Sequence, residues 1–286
     1  MTQDIVVGVD GTEEAHAAAH WAASEARLRG DGVLLVYARE VWPGPAALLK
    51  AQESEAAWAR DMLARTADEL RGRGPGIRVT TRVESSGAVA ALVAAAGTAD
   101  LVVLGSRALI GGAGHVVGSV GLAVAGNAGS PVVLVRGSVG EAGPVGPVTV
   151  GVDVREASGD AVVGFAFEEA ARRRTGVNAV HVLRLPFYAT LGPAMVPDVR
   201  PAVAPEFERS LKDLLAPWHA KYPDVKVTAS VVLGSAGHEL VRMTDGTGLV
   251  VVGRRTRRSA LGAHLGSVAQ AVLHHSRVPV AVVPHD

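Results

Sequence analysis

Residues 5–30 read IVVGVDGTEEAHAAAHWAASEARLRG, and residues 148–176 read VTVGVDVREASGDAVVGFAFEEAARRRTG. Each begins with an apolar run, turns at Gly-Val-Asp and continues into an alanine-rich helical pattern that ends at Gly30 or Gly176. A run such as IVVGV, apolar throughout rather than at alternate positions, is what a strand covered on both faces requires. Thr12 has the side chain of an N-cap, and Glu13 and Glu14 favour the positive end of the helix that follows. The unit is strand, turn, helix, and the chain writes it twice.

A second pair of stretches repeats as well. LVVLGSRALIGGAGHVVGSVGLAVAGNAGSPVVLV from Leu101 matches LVVVGRRTRRSALGAHLGSVAQAVLHHSRVPVAVV from Leu249. Gly105, Gly118, Ser119 and Pro131 meet Gly253, Gly266, Ser267 and Pro279 at one offset of 148, whereas Asp10 meets Asp153 at 143. The second half thus carries about five more residues between its motifs, placed near 186–205. The Gly- and Pro-rich RGSVGEAGPVGP reads as a surface linker. These repeats divide the chain into domains 1–140 and 147–286 joined by 141–146.

In the first half, strands are expected near 4–9, 32–38, 77–83, 100–104 and 131–135. A helix is expected over 54–71, where Ala59, Leu63, Ala67 and Leu70 form one stripe. Strands alternating with helices predict an α/β fold: two doubly wound domains with parallel sheets.

Composition limits the functions such a fold could carry. Lys plus Arg and Asp plus Glu number 28 each among 286 residues, so net charge gives no reason to expect a nucleic acid as partner. There is no cysteine, which excludes disulfides, thiolate metal sites and a cysteine nucleophile. No apolar run reaches the length of a membrane span, and MTQDIVVGVDGTEE lacks the pattern of a secretory signal. A soluble cytoplasmic protein is expected.

The stretch 105–120, GSRALIGGAGHVVGSV, follows an apolar strand and precedes a helical pattern. In an open parallel sheet, ligands bind beyond the carboxyl ends of the strands. The amides of Gly118, Ser119 and Val120 would open a helix, and a helix N-terminus suits phosphate oxygens. Two familiar phosphate motifs are absent. No lysine stands near either glycine run, as a P-loop needs, and GVDGTEE is not a dinucleotide fingerprint.

The pattern present is Gly105, two residues, Ala108, nine residues, Gly118-Ser119. With Gly-Val-Asp near the start and the whole arrangement duplicated, it closely resembles the universal stress protein family in its two-domain form. The resemblance implies a five-stranded parallel sheet of order 3-2-1-4-5 in each domain. It also implies adenine-nucleotide binding at the strand ends, with ATP, alone or with Mg2+, as the ligand. Carried over by position, the adenine-contacting aspartates are Asp10 and Asp153, with a backbone contact near Ala38 and Val182. The ribose and phosphate contacts are Gly105, Arg107, Gly118, Ser119 and Val120, and in the second half Gly253, Arg255, Gly266, Ser267 and Val268. This chain departs from the motif at its second glycine, which is Ala108 here and Thr256 in the other half. A left-handed backbone at that position would make a Cβ costly by about 1–2 kcal/mol. The resemblance further implies that the last strands of the halves pair as an internal pseudo-dimer, and that two chains associate.

Other chemistry has less support. His16 and His20 share a helical face at zinc-ligand spacing, but no third ligand is evident in sequence and no metal site is assigned. His115 and His264 stand in the glycine runs without a partner carboxylate. Arg254, Arg255, Arg257 and Arg258 stand where a triphosphate would lie. No catalytic constellation is visible. The expected function is a non-catalytic or very slow ATPase that senses or regulates under stress; the alternative is a partner-binding module with little nucleotide affinity.

Overall fold

A computed structural model describes residues 4–74, 76–106, 118–136, 146–155, 159–184, 200–256 and 265–286. The chain divides into two compact units, Met1–Gly143 and Pro144–Asp286.

The first unit runs β1 (Asp4–Gly8), α1 (Glu13–Arg29), β2 (Gly32–Ala38), α2 (Ala46–Arg73), β3 (Val79–Glu84), α3 (Ala88–Ala96), β4 (Leu101–Ser106), α4 (Ser119–Asn127) and β5 (Val132–Arg136). All its strand pairs are parallel, and the order is β3-β2-β1-β4-β5. β1 is central: Gly8 registers with Val36 on one side and Leu104 on the other. Ile5, Val6 and Val7 are all buried, because helices cover both faces of the strand.

The second unit repeats the plan. It runs β6 (Val148–Gly151), α5 (Gly159–Arg173), β7 (Val177–Leu183), α6 (Arg200–Lys221), β8 (Val227–Leu233), α7 (Ala236–Arg242), β9 (Leu249–Arg255), α8 (Ser267–His275) and β10 (Val280–His285). Its order, β8-β7-β6-β9-β10, is the same 3-2-1-4-5. No described helix is long and apolar enough to cross a membrane.

Local expectations meet the structure closely at α1. Thr12 is its N-cap, and the Thr12 hydroxyl accepts a hydrogen bond from the Ala15 amide at 3.3 Å. α2 starts at Ala46, eight residues before the expected start at 54, since Ala46–Lys50 are good helix formers that bury little. The end of α5 differs from the expectation of a glycine at 176. Gly30 closes α1 in the left-handed conformation at φ 77°, but the corresponding left-handed residue in the second unit is Arg174, at φ 52°. The matched buried glutamates Glu25 and Glu169 fix that register. They pair with Arg29 and with Arg172 and Arg173, respectively.

Candidate functional site

In the first unit, the carboxyl ends of β1, β2 and β4 meet the first turns of α1, α3 and α4 around a cleft of about 300 Å³. It lies beside the β1–β4 pair, where the strand order reverses and an open parallel sheet leaves a crevice. Asp10, Ala38, Gly105, Gly118, Ser119 and Val120 all line it. Arg107, Ala108 and His115 lie outside the described residues. Val9, Val36, Leu92 and Leu104 make its walls apolar. The Asp10 carboxylate accepts from the Thr12 amide at 3.1 Å and the Thr12 hydroxyl at 2.5 Å, so a turn closed by its own side chain orients it at the cleft.

Sequence reasoning missed Tyr37, which lines the cleft beside Ala38. Its hydroxyl donates to Glu55 Oε1 at 2.9 Å, and its ring stands edge-on to Trp58 with centroids 5.7 Å apart. Burial, with help from that hydrogen bond, pushes the phenol up to about pKa 12. The Glu55 hydrogen bond and the Trp58 contact fix Tyr37 as part of the cleft wall.

The glycines of the motif are present for two different reasons. A Cβ on Gly105 would stand 2.6 Å from the Ala15 amide nitrogen, because the first turn of α1 packs directly on β4. A Cβ on Gly8 would meet the Leu104 side chain at 2.6 Å. The protein's own packing explains both. Gly118 and Gly266 have no such reason. Their φ angles, −58° and −68°, suit any residue, and no described atom lies within 4 Å of where a Cβ would stand. Each is the N-cap of a nine-residue helix with no side-chain cap and no acidic residue in its first turn. The first intrahelical amides are Leu122 and Gln270, so those of Ser119, Val120 and Gly121, and of Ser267, Val268 and Ala269, make no bond within the helix.

The second unit forms its own cleft, of about 600 Å³, at the ends of β6, β7 and β9. Asp153, Val182, Gly253 and Val268 line it; Arg255, Thr256, Gly266 and Ser267 are not among its lining residues. Arg257, Arg258 and His264 lie outside the described residues. Arg155 holds the Asp153 carboxylate through its amide and its guanidinium, at 3.1 Å each to Oδ1 and 3.3 Å to Oδ2. Burial would raise the Asp153 pKa, but these bonds outweigh it and hold the group below its ordinary value. His181 takes the place of Tyr37. It is buried, stacks on Phe207 at 5.2 Å and lies 2.9 Å from the Val152 carbonyl through Nδ1. Its Nε2 has no hydrogen-bond partner among the described residues.

The two clefts differ in charge. Among described lining residues the first has Asp10 and Glu14 and no basic side chain, whereas the second has Asp153 with Arg155 and Arg184. Arg254 corrects an expectation: it is buried in β9 and does not line the cleft. Thr256 resolves another. Among the described residues only Arg174 outside glycine has positive φ, so the Thr256 Cβ carries no left-handed strain. Its amide donates to the His285 carbonyl at 2.6 Å, and its hydroxyl lies 2.7 Å from Asp286 Oδ1 and 3.1 Å from that carbonyl, tying the end of β9 to the end of β10.

Comparison with known proteins bears on the same features. The sequence profile described as "Universal stress protein family" matches residues 1–136 and again 145–284. A universal stress protein of Mycobacterium tuberculosis is 34% identical over 288 residues, covering 97% of this chain and 96% of the relative. One of Mycolicibacterium smegmatis is 33% identical over 291 residues, with 98% and 96% covered. The crystal structure of a universal stress protein from Archaeoglobus fulgidus has the same fold over 98% of both chains, with a TM-score of 0.75 at 15% identity.

Proposed function

The chain belongs to the universal stress protein family, and from that premise we propose that each domain, read as 1–140 and 147–286, holds one adenine nucleotide at its strand ends. The base lies between the apolar walls, with its amino group donating to Asp10 or Asp153. The phosphates lie on the open helix N-termini at Gly118-Ser119-Val120 and Gly266-Ser267-Val268, with Arg107 and Arg255 beside them. ATP is the ligand we assign. In the first cleft, whose described lining carries Asp10 and Glu14 and no basic side chain, Mg2+ offsets the phosphate charge; in the second, Arg155 and Arg184 supply positive charge.

The observation that carries this reading is the pair of N-cap glycines that neither φ nor packing among the described residues accounts for. A helix N-terminus stripped of its Cβ lets an anion approach the amides closely. In this reading occupancy is the signal, with hydrolysis absent or very slow. The protein then acts as a stress-responsive sensor or regulator. Cytoplasmic residence and pairing of two chains belong to the same reading.

The test is to denature freshly purified protein and quantify released nucleotides per chain by chromatography and mass spectrometry, alongside thermal melts with and without ATP. One to two ATP per chain, or a melting point that rises with ATP, is the expected result. Neither release nor a shift at millimolar ATP would overturn the reading. It would favour instead a partner-binding module, for which the exposed Val41, Trp42, Leu48 and Leu49 offer an apolar surface.

A further inference from the structure

His16 and His20 sit four residues apart on α1, and the fold brings Glu69 of α2 against both. The third ligand missing from the sequence pattern is thereby supplied. The two imidazole Nε2 atoms lie 3.3 Å apart, Glu69 Oε2 is 2.7 Å from that of His16, and Oε1 is 3.2 Å from that of His20. A tetrahedral ion held at about 2.0–2.1 Å requires ligand atoms about 3.3–3.4 Å apart. The edge between the two imidazoles already has that length; Glu69 meets the rings through different oxygens, so a turn of its carboxylate, which brings one oxygen to both, sets the other two edges.

We propose that His16, His20 and Glu69 form a site for a divalent cation of the zinc class, which joins α1 to α2. The donor set, two imidazoles and a carboxylate, suits Zn2+ or Co2+ and not the oxygen-seeking Mg2+. The His20 side chain is 10% exposed while those of His16 and Glu69 are 47% and 33% exposed, so the site is backed by protein and open to water for a fourth ligand. Arg73 lies 3.2 Å from Glu69 Oε1, the position of an outer partner that orients the carboxylate. None of the three ligands lines the nucleotide cleft, so this ion is separate from any that accompanies ATP.

A hydrogen-bonded trio holding two helices together would show some of the same distances, but the duplicated unit shows that the fold has no need of one. In the register set by Glu25 and Glu169, His16 and His20 correspond to Asp160 and Gly164. There α5 meets α6 through Trp218. Its indole nitrogen donates to Asp160 at 2.6 Å, and its ring packs so closely that a Gly164 Cβ would meet it at 2.7 Å. An aromatic plug serves the helix contact in one half, and a converging set of metal-binding atoms stands at the same place in the other.

The test is a titration of tag-free, chelator-treated full-length protein with Co2+, following the strong visible absorption of the tetrahedral ion, then displacement with Zn2+. One equivalent per chain is expected, abolished or weakened in His16→Ala and in Glu69→Gln. The weakening should be at least the roughly 10- to 100-fold that loss of an outer partner alone costs. His274→Ala, in the other unit, should titrate as the parent. Both informative substitutions are at partly exposed side chains, and circular dichroism verifies that the variants are folded. Absence of a saturable tetrahedral signal from the parent protein, or a signal that survives both substitutions in folded protein, would overturn the assignment.

Discussion

Replacing Gly118 by alanine distinguishes a glycine kept for a ligand from one kept for the fold, and Gly105→Ala is its counterpart. At Gly118 the backbone, with φ −58° and ψ 153°, is open to any residue, and the new methyl meets no described atom within 4 Å. Two small effects on folding oppose each other. Reduced freedom of the unfolded chain stabilises by about 0.4–1 kcal/mol, and alanine is a poorer N-cap than glycine by a comparable amount. The melting point should stay within roughly 2 °C of the parent's. At Gly105 the methyl would stand 2.6 Å from the Ala15 amide nitrogen, nearly 1 Å inside contact distance, so the first turn of α1 has to shift. Overpacking of this kind costs about 1–3 kcal/mol, or roughly 3–10 °C. Binding should respond in another pattern. A methyl at Gly118 holds phosphate away from the Ser119 and Val120 amides, and losing one charge-assisted hydrogen bond of about 1.5–3 kcal/mol weakens ATP roughly ten- to hundredfold. Calorimetric titration with Mg·ATP and parallel melts measure both quantities. Parent-like affinity in folded Gly118→Ala would refute the reasoning, as would a large fall in its melting point, which would make the glycine structural.

Arg174→Gly relieves a left-handed arginine at the end of α5 and should stabilise the second unit by about 0.5–1 kcal/mol in urea melts, the relief of strain exceeding the entropy cost of glycine. An unchanged midpoint would show that the conformation carries no strain. Thr256→Gly, which restores the family residue, should leave ATP affinity unimproved. It should also lower stability by about 1 kcal/mol, because the hydroxyl's bond to the Asp286 carboxylate and the His285 carbonyl is lost; tighter binding or an unchanged melting point would contradict this. Acid should destabilise the fold through Glu69 and Asp153. The hydrogen bond from His16 lowers the Glu69 pKa against the opposing effect of burial, and the Arg155 bonds lower that of Asp153. A carboxylate depressed in the folded state contributes stability above its unfolded pKa of about 4, and that contribution is lost as pH falls through the folded value. Urea midpoints between about pH 5 and pH 3 should therefore fall less steeply in Glu69→Gln and Asp153→Asn than in the parent; identical slopes would exclude both groups.

Much of the first cleft was legible because its residues sit next to elements that announce themselves. Asp10 follows a fully apolar strand and precedes a capped helix. Gly118 and Ser119 precede a helical pattern, and Ala38 ends a strand. Tyr37 and His181 went unnoticed although each adjoins a residue picked out from the motif. In a strand, neighbouring side chains face opposite sides of the sheet, and only the placement of the surrounding helices shows which side opens on the cleft. The two reasons for glycine were equally indistinguishable in sequence. Gly105 and Gly118 belong to one motif, yet α1 fills the space at the first and no described residue fills it at the second.

Local and repeated features, namely the duplication, the order of strands and helices, the Thr12 cap and the buried character of the strands, followed from residue order alone. Their causes act within a turn or two of chain, where apolar periodicity and backbone hydrogen bonding depend on near neighbours. The parallel order 3-2-1-4-5 came from resemblance, and the register that realises it rests on pairings such as Val33 with Val79 and Leu104 with Leu134. What belonged to tertiary structure alone were the convergences: Glu69 reaching His16 across 53 positions, Arg254 turning into the interior, and Thr256 bonding to the last strand. Each depends on how one helix or strand packs against another far along the chain. A side chain's partner at that range is set by the sum of many burial and packing terms, and no local pattern of residues encodes that sum.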